Sequence, residues 1–305
     1  MAIRLSLLCL LLAGAAFAQR SDHAELAPEI SRDYRGDTDD QLVLPERTLT
    51  ATPQVRFLMA DGGLADRPIA FTDVMLIDAA LRASLGGAAE LFALGTFMPK
   101  QPAGSKELFW QGVTAGARLA LTCAGKPDCR GTRGRLALGL DGRLAPLLQR
   151  QGLWSSAELL LEGQYLLHES IFLRGSLGGG ASSLWWRADG QATWFGEAVA
   201  TAEIVFRVRE AFAGWVGAEL RVPFGPWGAA RLTPTTRVCA RIGVAATWVR
   251  EWDVFAELQI LDRGDLAVPG TTIPAIDGGF DQRVLMIGVT HRFDLPGPPH
   301  HTPDA

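Results

Sequence analysis

Arg283-Val284-Leu285-Met286-Ile287-Gly288-Val289-Thr290-His291-Arg292-Phe293 is the stretch whose reading decides the fold. Taken every second residue, one face carries Leu285, Ile287, Val289, His291 and Phe293. The other carries Val284, Met286, Gly288, Thr290 and Arg292. A period of two belongs to a strand, because successive Cβ atoms point to opposite faces of a sheet. In a soluble sandwich the apolar face meets a second sheet. In a barrel set in lipid it meets acyl chains, and the mixed face lines a lumen.

The same choice recurs along the chain. Alternation predicts strands over 48–60, 71–83, 88–98, 108–122, 134–145, 155–167, 170–183, 193–208, 211–222, 236–249, 252–262 and 282–293. In 134–145, Leu136, Leu138, Leu140 and Leu144 share a face against Arg135, Asp141 and Arg143. In 193–208, Ala198, Ala200, Ala202, Ile204, Phe206 and Val208 oppose Glu197, Thr201, Glu203 and Arg207. The first three strands alternate less cleanly, and 71–98 also admits a partly helical reading.

Flanking segments differ in character. Arg4, an apolar run from Leu5 to Ala16 and the closing Ala16-Phe17-Ala18 read as a secretory signal over residues 1–18, too short to span a bilayer. Between Arg20 and Asp40 stand seven acids and few apolar residues, so 19–47 reads as an acidic, flexible leader, with a plug or partner-binding arm as the alternative. A Pro-rich tail, 294–305, follows the last strand. No later apolar run is long enough for a transmembrane helix. The net charge of −4 gives no sign of a nucleic-acid partner. Cys123 and Cys129 are spaced to close a small loop in an oxidising compartment, leaving Cys239 unpaired; three free thiols are the equal alternative.

Connection lengths add a second signal. Tight turns at 84–87, 168–169, 209–210 and 250–251 alternate with longer links such as 61–70, 223–235 and 262–281. Membrane barrels show that alternation, with short periplasmic turns and long outer loops. The exception is 122–133, which holds Cys123 and Cys129. Tryptophans supply a third. Trp110, Trp154, Trp185, Trp186, Trp194 and Trp227 fall at predicted outer ends, and Trp248 and Trp252 flank a short turn. Indole favours a bilayer interface, where its ring stays apolar and its N–H stays wet. The predicted fold is therefore all-β: a transmembrane antiparallel up-and-down barrel of about 12 strands, within a range of 10–14, with a soluble secreted sandwich or barrel as the alternative.

On Gly288-Val289-Thr290-His291-Arg292-Phe293 the chain resembles Gram-negative outer-membrane β-barrel proteins of porin-like architecture. The terminal strand of that class ends on an aromatic after alternating apolar residues. The resemblance implies that Phe293 closes the barrel strand, that the barrel-assembly machinery reads this strand during biogenesis, and that outer-membrane lipid surrounds the product. The chain departs from the pattern in carrying twelve residues beyond Phe293.

Little in the chain looks catalytic. His23, His168, His291, His300 and His301 have no serine and acid at a spacing that suggests a nucleophilic site, and no Cys/His cluster has zinc spacing. Neither an enzyme activity nor a cofactor is expected. Glycines 178–180 lack the lysine and helix of a phosphate loop, and read as close backbone approach or a bend. What remains is a lumen lined by Arg118, Arg135, Asp141, Arg143, Glu158, Glu162, Arg174, Glu197, Glu203, Arg207, Glu219, Arg221, Arg237, Arg241 and Glu257. Those charges either form a polar pore for small solutes or pair across the interior and fill it. The expected function is a narrow channel, with a non-conducting scaffold that presents its outer loops as the alternative.

Overall fold

The computed structural model describes residues 42–44, 46–59, 75–97, 99, 110–122, 134–146, 152–168, 170–188, 190–209, 212–228, 236–249, 252–263 and 283–295. The signal segment, most of the acidic leader, Cys123, Cys129, much of the long links and the Pro-rich tail from 296 onward lie outside them.

Twelve strands make up the described chain: β1 (Thr48–Met59), β2 (Met75–Leu85), β3 (Ala89–Phe97), β4 (Trp110–Ala120), β5 (Gly134–Pro146), β6 (Gly152–His168), β7 (Ile171–Trp186), β8 (Ala192–Arg209), β9 (Phe212–Gly228), β10 (Arg237–Val249), β11 (Trp252–Arg263) and β12 (Arg283–Asp294). Each pairs antiparallel with its chain neighbours, and β1 pairs with β12 from Thr48↔Asp294 to Met59↔Arg283, closing the barrel. Closure removes the free edge whose unpaired N–H and C=O groups a hydrocarbon layer could not satisfy. Within the stretch 71–98, the described residues 75–97 form two strands joined by a turn, with no helical part among them.

Short connections, that after β4 excepted, join the even strands to the following odd ones at one rim, where β1 begins and β12 ends. The β2–β3 turn uses Gly86 and Gly87 at φ 67° and 71°, a left-handed conformation that a Cβ would penalise. Register shifts sit beside three of these turns, at Leu166/His168, Arg207/Arg209 and Thr247/Val249. Such bulges bend and twist a strand at a barrel rim. Longer links join the strands at the opposite rim, and the 13-residue link 121–133 stands among the short turns.

Inside and outside separate by parity. Leu81, Leu91, Leu119, Leu140, Leu159, Leu177, Leu220, Ile260 and Ile287, from nine different strands, all face outward and are exposed. Leu177 is 66% exposed. Soluble monomers rarely expose contiguous apolar patches larger than a few hundred Å².

The inner face carries both charges and aromatics, and the aromatics have a recurrent device. Phe92 is in register with Gly116, Trp215 with Gly243 and Phe255 with Gly288. At each glycine an added Cβ would run into the partner ring. The missing side chain leaves room for the ring to lie flat along the wall, which covers exposed backbone and pins register. Gly178, Gly179 and Gly180 lie against neighbouring strands so closely that a Cβ on Gly179 would stand 2.6 Å from the Glu197 carbonyl. This is the close approach expected of that run.

Two tryptophans depart from the expected girdle. Trp154 and Trp186 point into the barrel and are 6% and 5% exposed. Trp186 follows Trp185 inside β7, and adjacent strand residues must take opposite faces. Strand β6 starts at Gly152, and its outward set (Leu153, Leu159, Leu161) is odd-numbered, which sends Trp154 inward. Trp110, Trp185, Trp194, Trp227 and Trp252 face outward and are exposed. Trp185 and Trp194 meet edge to face at 6.0 Å, and Trp252 stacks on His291 at 4.1 Å. The Trp248 side chain lies outside what is described.

Candidate functional site, the barrel lumen

Four charged groupings line the inner wall. On β1 to β3, Asp78 is fully buried and accepts from Arg56 and Gln54 at 2.8 Å and from Thr96 at 2.7 Å. Near the short-turn rim, Glu90 accepts from Arg82 at 2.8 and 2.9 Å and from Arg118 at 3.0 Å; Arg118 also donates to Glu162 at 2.8 Å. The Arg118 guanidinium lies 5.1 Å over the Phe92 ring. Across β6, β8 and β9, Arg221 serves three carboxylates, Glu158 at 2.6 Å, Glu197 at 3.4 Å and Glu219. Across β7, β8 and β10, Glu203 lies between Arg174 at 3.7 Å and Arg241 at 3.2 Å.

Registry explains why these side chains meet. Asp141 pairs with Glu158, Glu158 with Gly180, and Gly180 with Glu197, so three carboxylates share one row of the wall. Their mutual repulsion needs a cation close by. Arg221 supplies it from β9, one inward step further along, paired to Val199. One row set nearer the short-turn rim holds Arg135, Gln164, Arg174 and Glu203 in register. Carboxylates in a low-dielectric interior are tolerable only with such partners.

The expected lining residues fall as follows. Glu158, Glu197, Glu203, Arg221 and Glu257 are inward and buried. Arg118, Arg135, Asp141, Arg143, Glu162, Arg174, Arg207, Glu219 and Arg241 are half-buried on the same face. The Arg237 side chain lies outside what is described. Cys239 also sits on the inner parity, half-buried and free.

Residues absent from that expectation include Arg56, Asp78, Arg82, Glu90 and Asp253. Asp78 and Arg82 were legible in principle, since Ile77, Leu81 and Leu85 alternate against them. Ala79, Ala80 and Ala83 around them dilute the pattern.

Part of the interior is packed with apolar groups. Phe172, Val205, Trp215, Ala245 and Phe255 form a buried cluster with Leu166 and Met286 against it. Trp215 adds a polar tie, its indole N–H donating to Glu257 at 2.7 Å. On the opposite wall Leu42 and Val43 pack with Ala137 and Ala120. At the end of the 19–47 segment, Leu42, Val43 and Leu44 are 7%, 5% and 2% exposed. Burial of three consecutive apolar side chains outweighs the cost of ordering them.

No family model and no curated protein matches the chain. Among solved structures it is similar to the COG4313 outer membrane channel from Pseudomonas putida F1, with a TM-score of 0.52 at 11% identity over 86% of this chain and 100% of that one. It also aligns with the NanC porin, TM-score 0.49 at 10% identity over 80% and 98%. The KdgM porin aligns with a TM-score of 0.45 at 10% identity over 79% and 99%. At such identities the likeness is one of fold: the chain has the architecture of the outer-membrane porin-like barrels, closed and antiparallel with twelve strands.

Proposed function

We propose that this barrel resides in the outer membrane of a Gram-negative bacterium and works as a narrow channel for small hydrophilic or amphipathic solutes. The observation that carries the reading is the strict partition of the wall. Arginines and carboxylates occupy the inner face from β1 to β11, while large apolar side chains occupy the outer one. A lipid-facing charge at mid-bilayer costs about 2–4 kcal/mol, which accounts for the outer face. The inner face needs water or mutual pairing to hold its charges. Twelve strands enclose more width than the eight that side chains alone fill, and less than the sixteen of wide porins.

In this reading the short-turn rim is periplasmic and the long links face outside. The lumen would pass solutes between ion-paired walls. Because the pairs nearly cancel, selection by sign of charge is expected to be weak, with width the main filter. Single-channel recording in planar bilayers tests the proposal: discrete steps of small conductance are expected, and silence at all voltages from heat-modifiable, correctly folded protein would sink it.

A second reading has a specific observation behind it. Glu158, Glu197, Glu203 and Glu257 are only 4–6% exposed, and the Phe172–Trp215–Phe255 cluster fills part of the interior. A non-conducting scaffold that presents its long links would have such a lumen. Normal solute uptake in a deletion strain, together with altered surface binding, would favour it.

A further inference from the structure

The inner wall near the short-turn rim holds a guest from its own chain. Leu42, Val43 and Leu44 are buried, although they belong to no strand. In a wall strand, consecutive side chains take opposite faces and one of them stays outside. Here all three are enclosed, so the segment lies within the barrel. Its receptor is built from three strands. Glu90 sits at the start of β3, Ala120 at the end of β4 and Ala137 early in β5. Ala137 and Ala120 contact the apolar side chains. Glu90 accepts the Leu44 backbone N–H at 2.9 Å.

The receptor is preset. Arg82 and Arg118 both donate to Glu90 Oε1, and Arg82 donates to Oε2 as well. The carboxylate is thereby aimed inward with one lone pair of Oε2 left to the Leu44 amide. A small residue at 137, fully buried, makes room for Val43 and Leu42. Between guest and barrel stands a turn. Arg47 has φ 57°, a left-handed conformation rare for a residue with a Cβ. Its carbonyl accepts the Leu295 N–H at 2.8 Å, which ties the turn to the end of β12. The chain thus leaves β1, reverses at a pinned point and enters the lumen.

We infer that the inner wall at Glu90, Ala120 and Ala137 is an intramolecular docking site, and that residues 42–44 are a latch seated in it that narrows the periplasmic mouth. The narrowing rests on the channel reading above; the docking does not. Release needs the Leu44–Glu90 hydrogen bond to break and three apolar side chains to leave the interior. Anything that competes for Glu90 from the periplasmic side, or pulls on the acidic residues preceding Leu42, would open the mouth.

The test separates the two parts. In full-length mature protein carrying C123S, C129S and C239S, V43C reports docking by its rate of maleimide labelling. Slow labelling is expected with Glu90 present and about tenfold faster labelling in E90Q, because a charge-assisted acceptor is lost. Labelling of V43C in the folded barrel as fast as in boiled, unfolded protein would overturn docking. Because E90Q also disturbs Arg82 and Arg118, a second variant, L42S/V43S/L44S, leaves the receptor intact. In planar bilayers that variant should conduct more than wild type, and an oxidised V43C/A137C pair less than the same pair reduced. Equal conductance in all of these, from a wild type that conducts, would overturn the latch and leave the channel standing. Silence in all of them with slow V43C labelling would overturn the channel and, with it, the narrowing, while docking stands.

Discussion

Arg221 shows most plainly how a single residue can hold the lumen together. It stands among Glu158, Glu197 and Glu219, and is itself buried. Removing one partner of a buried ionic group leaves uncompensated charge, which costs about 3–5 kcal/mol. Arg221→Ala is therefore expected to lower the unfolding free energy by that amount, read from urea titration of the detergent-folded protein. Arg221→Lys should recover only part of it, since an ammonium cannot serve three carboxylates with a planar fork. A barrel unaffected by Arg221→Ala would mean that these carboxylates are solvated by lumen water. The glycine–aromatic pairs make a second prediction at this scale. Gly243→Ala places a Cβ into the Trp215 ring, and overpacking of this kind costs about 1–3 kcal/mol. In a double-mutant cycle, Trp215→Ala should remove most of that cost. Additive effects would show that the ring had another place to go.

Among the elements, β12 carries the closure. It pairs with β1 along its length and with β11 from Trp252↔His291 to Ile260↔Arg283. Its outward residues should obey the lipid rule and its inward ones should not. Ile287 is outward and 43% exposed. Ile287→Arg is expected to cost about 2–4 kcal/mol in a lipid-embedded barrel, whereas Ile287→Leu stays within about 1.5 kcal/mol. The difference between the two variants in lipid-vesicle refolding titrations checks it. The short β2–β3 turn gives another case, since Gly86 and Gly87 both take positive φ. Gly86→Ala meets no steric contact, so its expected cost of about 1 kcal/mol comes from backbone conformation alone.

Taken whole, the molecule is a closed wall with two kinds of filling. Ion pairs occupy several levels of the interior, and apolar clusters from β7 to β11 and from residues 42–43 occupy others. A closed antiparallel wall leaves no free edge at which unfolding can begin, so unboiled protein in SDS is expected to migrate differently from boiled protein. Identical migration, with fractionation as a soluble protein, would remove the membrane reading. Charge is expected to matter less than width for conduction, because arginines and carboxylates sit within ion-pair distance across the described wall.

Period-two alternation, with the connection lengths, placed the strands in order, to a count of about twelve within a range of ten to fourteen, and assigned most residues an inward or outward face. The reason is local: a pleated strand in a two-sided wall has no freedom to place Leu140 and Asp141 on the same side. The seam between β1 and β12 followed from the count, since twelve strands without a partner for the last would leave an edge. Tertiary structure alone decided the rest. Trp154 and Trp186 turned inward because strand limits, which alternation locates only loosely, set their parity. Which carboxylate meets which arginine depends on register between strands, and the Glu158–Arg221 pair spans 63 residues. The burial of Leu42 to Leu44 depends on a cavity that exists only once β3, β4 and β5 are side by side. Three apolar residues after an acidic run carry no period, and hydrophobicity states only that they will seek an interior, not that the lumen is the one they find.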